Sequence, residues 1–111
     1  MAKAQSVSLK HFTTAVQSAV KAAVEKHPKF KVEVPQGVSF SYIIRGIPVV
    51  EKALANVTFA ETQSFANDIA KNLSAHPSLA NLGLPGEGSI YSHYPHIILG
   101  IPAPDPWILE E

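Results

Sequence analysis

Ile43-Ile44-Arg45-Gly46-Ile47-Pro48 in the first half of the chain returns in the second as Ile97-Ile98-Leu99-Gly100-Ile101-Pro102, with only Arg45 exchanged for Leu99. Each copy closes the same succession of features. A helix-period segment ends in His-Pro (His27-Pro28, His76-Pro77), a Pro/Gly turn follows, and a strand rich in Ser and Tyr leads into the hexapeptide. Aligned on the two histidines, Val16, Val20 and Val24 fall opposite Phe65, Ile69 and Leu73. One match of this kind arises easily by chance; several in the same order do not. The chain therefore reads as a diverged internal duplication of an α-β-β unit, with pseudo-repeats over about 8–48 and 58–102.

A single α-β-β unit cannot cover both faces of its hairpin, so two should share one sheet. The expected fold class is α+β: a two-layer sandwich with a mainly antiparallel sheet and two helices on one face. A pseudo-twofold axis should pass through the sheet and relate the two Gly-Ile-Pro segments. Gly46 and Gly100 are expected to turn the chain sharply at the strand ends, with proline stopping further pairing.

The local signals agree. Leu9, Phe12, Val16, Ala19, Val20 and Ala23 recur at helical spacing from a Ser8 cap to about Lys26, and Pro28 stops the run. Phe30, Val32 and Val34, then Val38, Phe40, Tyr42 and Ile44, alternate around Pro35-Gln36-Gly37 as a hairpin would. Residues 49–57 suit a helix by propensity and a strand by alternation, so their state stays open. Thr58 and Glu61 have capping-box spacing ahead of an apolar stripe of Phe65, Ala66, Ile69 and Leu73. Beyond the turn-rich 81–88, strand signal runs from Ser89 to Leu99, interrupted at Pro95, which implies an edge strand or a bulge.

With 111 residues, 46% apolar and 16% charged, the chain is expected to form one globular domain. It has no cysteine, which excludes disulfides, thiolate zinc sites, iron–sulfur clusters and a cysteine nucleophile. No apolar run reaches the roughly 20 residues of a membrane helix, and the opening Met1-Ala2-Lys3-Ala4 leads into no apolar signal segment. The expectation is a cytoplasmic protein with no membrane partner.

Net charge is zero, but residues 1–50 carry +5 and residues 51–111 carry −5. The simplest use of that split is attraction between the halves within the fold. Zero net charge and no interleaving of basic with aromatic residues count against nucleic acid as a partner.

The site readings rest on residue type more than on motif. Tyr42 and Arg45 in the first repeat, with Tyr91, His93, Tyr94 and His96 in the second, could line an aromatic and cationic groove around the pseudo-twofold. His93 and His96 are weak metal candidates, because residues three apart on a strand point to opposite faces and no third ligand is fixed. No metal or other cofactor is expected. His27 and His76 read as helix-end residues that satisfy terminal carbonyls. Leu84-Pro85-Gly86-Glu87-Gly88-Ser89 is not a phosphate loop, since a strand and not a helix follows. The proline-rich tail, 102–111, carries the one tryptophan, Trp107, which either anchors a partner or folds back on the core. The functional expectation is a protein-binding module using that strand edge or the tail. The alternative is a small-molecule- or metal-binding protein, or a small enzyme, with its site at the same edge. An edge strand at Pro95 could also pair with a second copy of the chain as a homodimer.

Overall fold

The computed structural model describes residues 5–30, 46–53, 57–77, 79, 84–92, 96–102 and 107–110. Their order is β1 (Gln5–Ser8), α1 (Leu9–Lys26), β2 (Gly46–Ala53), α2 (Phe59–Ser74), β3 (Ser89–Ser92), β4 (His96–Pro102) and β5 (Trp107–Glu110). The class is α+β, as expected. Among the described residues, β2, β4 and β3 form an antiparallel sheet with β4 in the middle, and β1 pairs with β5 in parallel. The expected hairpin strands over 31–45 lie outside the described residues.

Both helices form where the apolar spacing places them. α1 buries Phe12, Ala15, Val16, Ala19, Val20 and Ala23, and α2 buries Phe65, Ala66, Ile69, Ala70 and Leu73. The α2 cap is the anticipated box: the Glu61 N–H donates to Thr58 Oγ1 at 3.1 Å, and the Thr58 N–H donates to Glu61 Oε1 at 3.4 Å. α1 has no such cap. Ser8 stands at the cap position without a side-chain bond, because it is also the last residue of β1, paired with Glu110.

The helices and the sheet share one core. In β4 the alternation Ile97, Leu99, Ile101 points inward and meets Val49 and Val50 of β2 and the buried faces of both helices. Asn72 Nδ2 on α2 donates to the Ala19 carbonyl of α1 at 3.1 Å, tying the two helices by a polar contact as well.

The two Gly-Ile-Pro segments differ: Gly100-Ile101-Pro102 closes β4, as expected, whereas Gly46-Ile47-Pro48 is followed by more strand. Gly46, Ile47 and Pro48 pair antiparallel with Pro102, Ile101 and Gly100, and β2 continues past Pro48 to Ala53, so the open stretch 49–57 is strand as far as Ala53; residues 54–56 lie outside the described residues and Val57 is in neither helix nor strand. Proline is tolerated here because the register slips beside it: Pro48 pairs with Gly100 and Val50 with Leu99, leaving Val49 as an extra residue. A second slip lies on the other side of β4. Ile90 pairs with Leu99 and Ser92 with Ile98, leaving Tyr91 unmatched. The strand signal from Ser89 to Leu99, for which Pro95 implied an edge strand or a bulge, is two strands paired with each other: β3 before Pro95 is bulged and at the edge of the described sheet, and β4 after it is central.

The tail is held by its backbone. Trp107 to Glu110 pair with Gln5 to Ser8, which brings the two ends of the described chain together.

Candidate functional site

Aromatic and charged side chains converge where α1 ends. The His27 N–H caps the Ala23 and Val24 carbonyls at 3.0 and 3.2 Å, and Pro28 then prevents another helical turn. The Phe30 N–H donates to the His27 carbonyl at 2.9 Å, closing the turn His27-Pro28-Lys29-Phe30. This turn lies across α2, on the flank that carries Glu61, Ser64, Phe65 and Asp68, a stripe at three- and four-residue steps.

Five contacts involve its side chains. Phe30 stacks on Phe65, with ring centroids 4.3 Å apart and planes 15° from parallel. The His27 ring stands edge-on to both, at 6.3 Å from Phe30 and 5.5 Å from Phe65. At the rim, His27 Nε2 meets Asp68 Oδ2 at 2.6 Å and Lys29 Nζ meets Glu61 Oε2 at 3.1 Å. Each of these pairs joins the basic half of the sequence to the acidic half, as the charge split implied. The Lys29 ammonium holds the Glu61 carboxyl below its usual range; desolvation opposes it, and the Thr58 cap adds to the lowering.

Beside these pairs is a solvent-open hollow of about 320 Å³. Phe30, His27 and Pro28 give it apolar and aromatic lining; Lys26, Ser64 and the Lys29–Glu61 pair supply polar groups. Lys26 and Ser64 have no hydrogen-bond or ion-pair partner among the described residues. No group of three or more His, Asp or Glu residues able to hold a metal ion occurs among the described residues.

Of the candidate site residues singled out from sequence, three are described, and none of the three lines the hollow. Tyr42, Arg45, His93 and Tyr94 lie outside the described residues. His96 opens β4 and Trp107 opens β5. Tyr91 is half-buried in β3, and its hydroxyl is buried without a hydrogen-bond partner among the described residues. Burial pushes that phenol above its ordinary range; the nearby Ser89 hydroxyl pulls the other way without completing a hydrogen bond.

Sequence reasoning treated His27 as a helix-end residue, and its backbone is one. It missed the side-chain pairing with Asp68 and the stack of Phe30 on Phe65. The available signal was the Phe65/Asp68 spacing on α2 facing a basic helix end.

A further contact joins α2 to the turn before β3. Gln63 Nε2 donates to Asn67 Oδ1 at 2.8 Å and to the Gly88 carbonyl at 3.1 Å, and the Gly88 N–H donates to Asn67 Oδ1 at 3.2 Å. Two amide side chains thus satisfy both backbone groups of Gly88, much as a neighbouring strand would.

No helix among the described residues is long and apolar enough to cross a membrane. The chain matches no protein-family model, no curated protein and no solved structure.

Proposed function

We propose that the protein is an interaction module, and that it receives a short segment of a partner protein at the hollow between the end of α1 and the start of α2. The observation that carries this is the hollow's construction. A lining of Pro28 and the edges of the largely buried His27 and Phe30 rings is fixed by a ring stack, a His27–Asp68 hydrogen bond and the Lys29–Glu61 ion pair, with a polar rim around it. Interface anchors are commonly single side chains seated in small, preformed recesses with polar surroundings. At about 320 Å³ and open to solvent, the hollow suits one such side chain better than a small ligand, which normally has most of its surface enclosed.

The finer reading of the fold belongs with this proposal. A two-layer sandwich of two α-β-β pseudo-repeats is supported by the antiparallel register of Gly46-Ile47-Pro48 against Gly100-Ile101-Pro102, which centres a local twofold on Ile47 and Ile101. It is supported too by matched helix ends, where the Phe30 N–H bonds the His27 carbonyl and the Leu79 N–H bonds the His76 carbonyl at 3.0 Å. Val16 and Val20 are buried like their counterparts Phe65 and Ile69. A cysteine-free chain agrees with a reducing compartment, and we place the protein in the cytoplasm.

The test is selection of peptides from a displayed random library on the full chain, followed by amide shift mapping with isotope-labelled protein. The expected outcome is binders that perturb residues 26–30 and 61–64. Perturbation centred on Tyr91 and His96 instead would move the site to the strand edge. Failure to select any binder would overturn the reading.

A further inference from the structure

The charges around the hollow are unequal once those already engaged are set aside. Lys29 and Glu61 neutralise each other at 3.1 Å. Asp68 is bound to His27 and is not part of the lining. What remains is the Lys26 ammonium, with three donors, and the exposed Ser64 hydroxyl, neither of which has a partner among the described residues. The negative end of the α1 dipole does little to offset Lys26, because His27 already caps the Ala23 and Val24 carbonyls. A basic ligand would meet Lys26 and find the one lining carboxylate taken. A carboxylate would meet an ammonium and a hydroxyl donor at the edge of an aromatic surface.

From this we infer that the hollow takes an acidic segment: an apolar side chain set on the exposed Pro28, against the accessible edge of the otherwise buried Phe30, with an Asp or Glu carboxylate beside it on Lys26 and Ser64. This rests on the hollow being the partner site. It adds the chemistry of the partner, namely a short extended stretch pairing one aromatic or aliphatic anchor with neighbouring acidic residues. The engaged Lys29–Glu61 pair then acts as a neutral wall, and specificity comes from Lys26, the one lysine among the described lining residues without an anion already on it.

A set of labelled peptides tests it, each with the same Leu anchor and flanked by Asp and Glu, by Ser, or by Lys. They are titrated against the full chain by fluorescence anisotropy at low and at physiological salt. The acidic peptide should bind at least tenfold more tightly than the neutral one, with the basic peptide weakest and the gap narrowing as salt rises. Lys26→Glu, a substitution at an exposed position, should abolish the acidic preference and favour the basic peptide. Equal affinity for all three peptides, unchanged in Lys26→Glu, would overturn the acidic specificity while leaving the hollow as a binding site. Failure of every peptide to bind, when library-selected peptides do bind elsewhere on the surface, would overturn both.

Discussion

Tyr91 reaches from β3 past the central strand β4 to lie against Gly46 of β2, so closely that a β-carbon on Gly46 would collide with the tyrosine hydroxyl. The bulge at Tyr91 makes this possible, because the extra residue is freed from the alternation of its neighbours. The cost is a buried hydroxyl with no hydrogen-bond partner among the described residues.

Removing that hydroxyl should therefore not weaken the fold. A buried hydroxyl without a partner costs about 1–3 kcal/mol of desolvation. Tyr91→Phe keeps the ring and deletes the orphaned group, so urea unfolding should show a midpoint equal to or above that of the parent. A lower midpoint would mean the hydroxyl has a partner in solution.

Gly46→Ala tests the same contact from the other side. The new methyl would meet the Tyr91 hydroxyl and crowd the Ile101 carbonyl, which lies 2.9 Å from the β-carbon position. Overpacking of this kind typically costs about 1–3 kcal/mol. In a Tyr91→Leu background the shorter side chain relieves the larger clash, so Gly46→Ala should cost less there. An equal cost in both backgrounds would exclude Tyr91 as the cause.

Gly88 is required for a different reason. Its β-carbon would run into the Ala66 carbonyl on α2, and its two backbone groups are held by Gln63 and Asn67. Gly88→Ala should push the turn off the helix, breaking both bonds and destabilising the protein by about 2 kcal/mol or more. Asn67→Ala, which removes the acceptor but leaves the close approach intact, should cost about 1 kcal/mol. Thermal unfolding of the two variants orders them; a milder Gly88→Ala would mean the turn can lift without loss.

These positions show where sequence reading succeeded and where it stopped. The helices were legible because periodicity and the Thr58–Glu61 box are local signals, written within four residues of each other. The likeness of the two hexapeptides was legible as well. A proline after a glycine reads as a strand end, which holds for Pro102 at the end of β4 but not for Pro48 inside β2. What keeps Pro48 within a strand is the slip at Val49, set by a partner strand far along the chain. The convergence of His27 with Asp68 and of Phe30 with Phe65 is likewise long-range. Opposite charge in the two halves gave its sign, but only the crossing of α1's end over α2 selects which residues meet.

The His27–Asp68 contact can be weighed by a double-mutant cycle. Both side chains are mostly buried, at 18% and 26% exposure, and 2.6 Å apart. His27→Ala also loses the edge-on ring contacts, so the single variant alone overstates the pair. Combining it with Asp68→Ala isolates the coupling, expected at about 1–2 kcal/mol for a partly buried hydrogen bond to a carboxylate. Coupling near zero would leave His27 only its backbone cap and its packing on Phe65.

The Lys29–Glu61 pair makes a claim about acid. Glu61 titrates below its ordinary value in the folded chain, chiefly because of Lys29, so between that lowered value and the unfolded value of about 4.3 the unfolded state binds more protons. Its stabilising effect is therefore complete above that window and fades as pH falls through it. Glu61→Gln removes this titration while keeping an oxygen to accept from the Thr58 N–H. The gap in urea midpoint between parent and variant should be present at pH 6–7 and shrink as pH falls below about 4. Every other carboxylate is common to the two proteins and cancels. High salt should also narrow the gap at pH 7, because the Lys29 ammonium is largely exposed. A gap constant from pH 7 to pH 3 would assign Glu61's role to the uncharged hydrogen bonds of the α2 cap, leaving Lys29 a bystander.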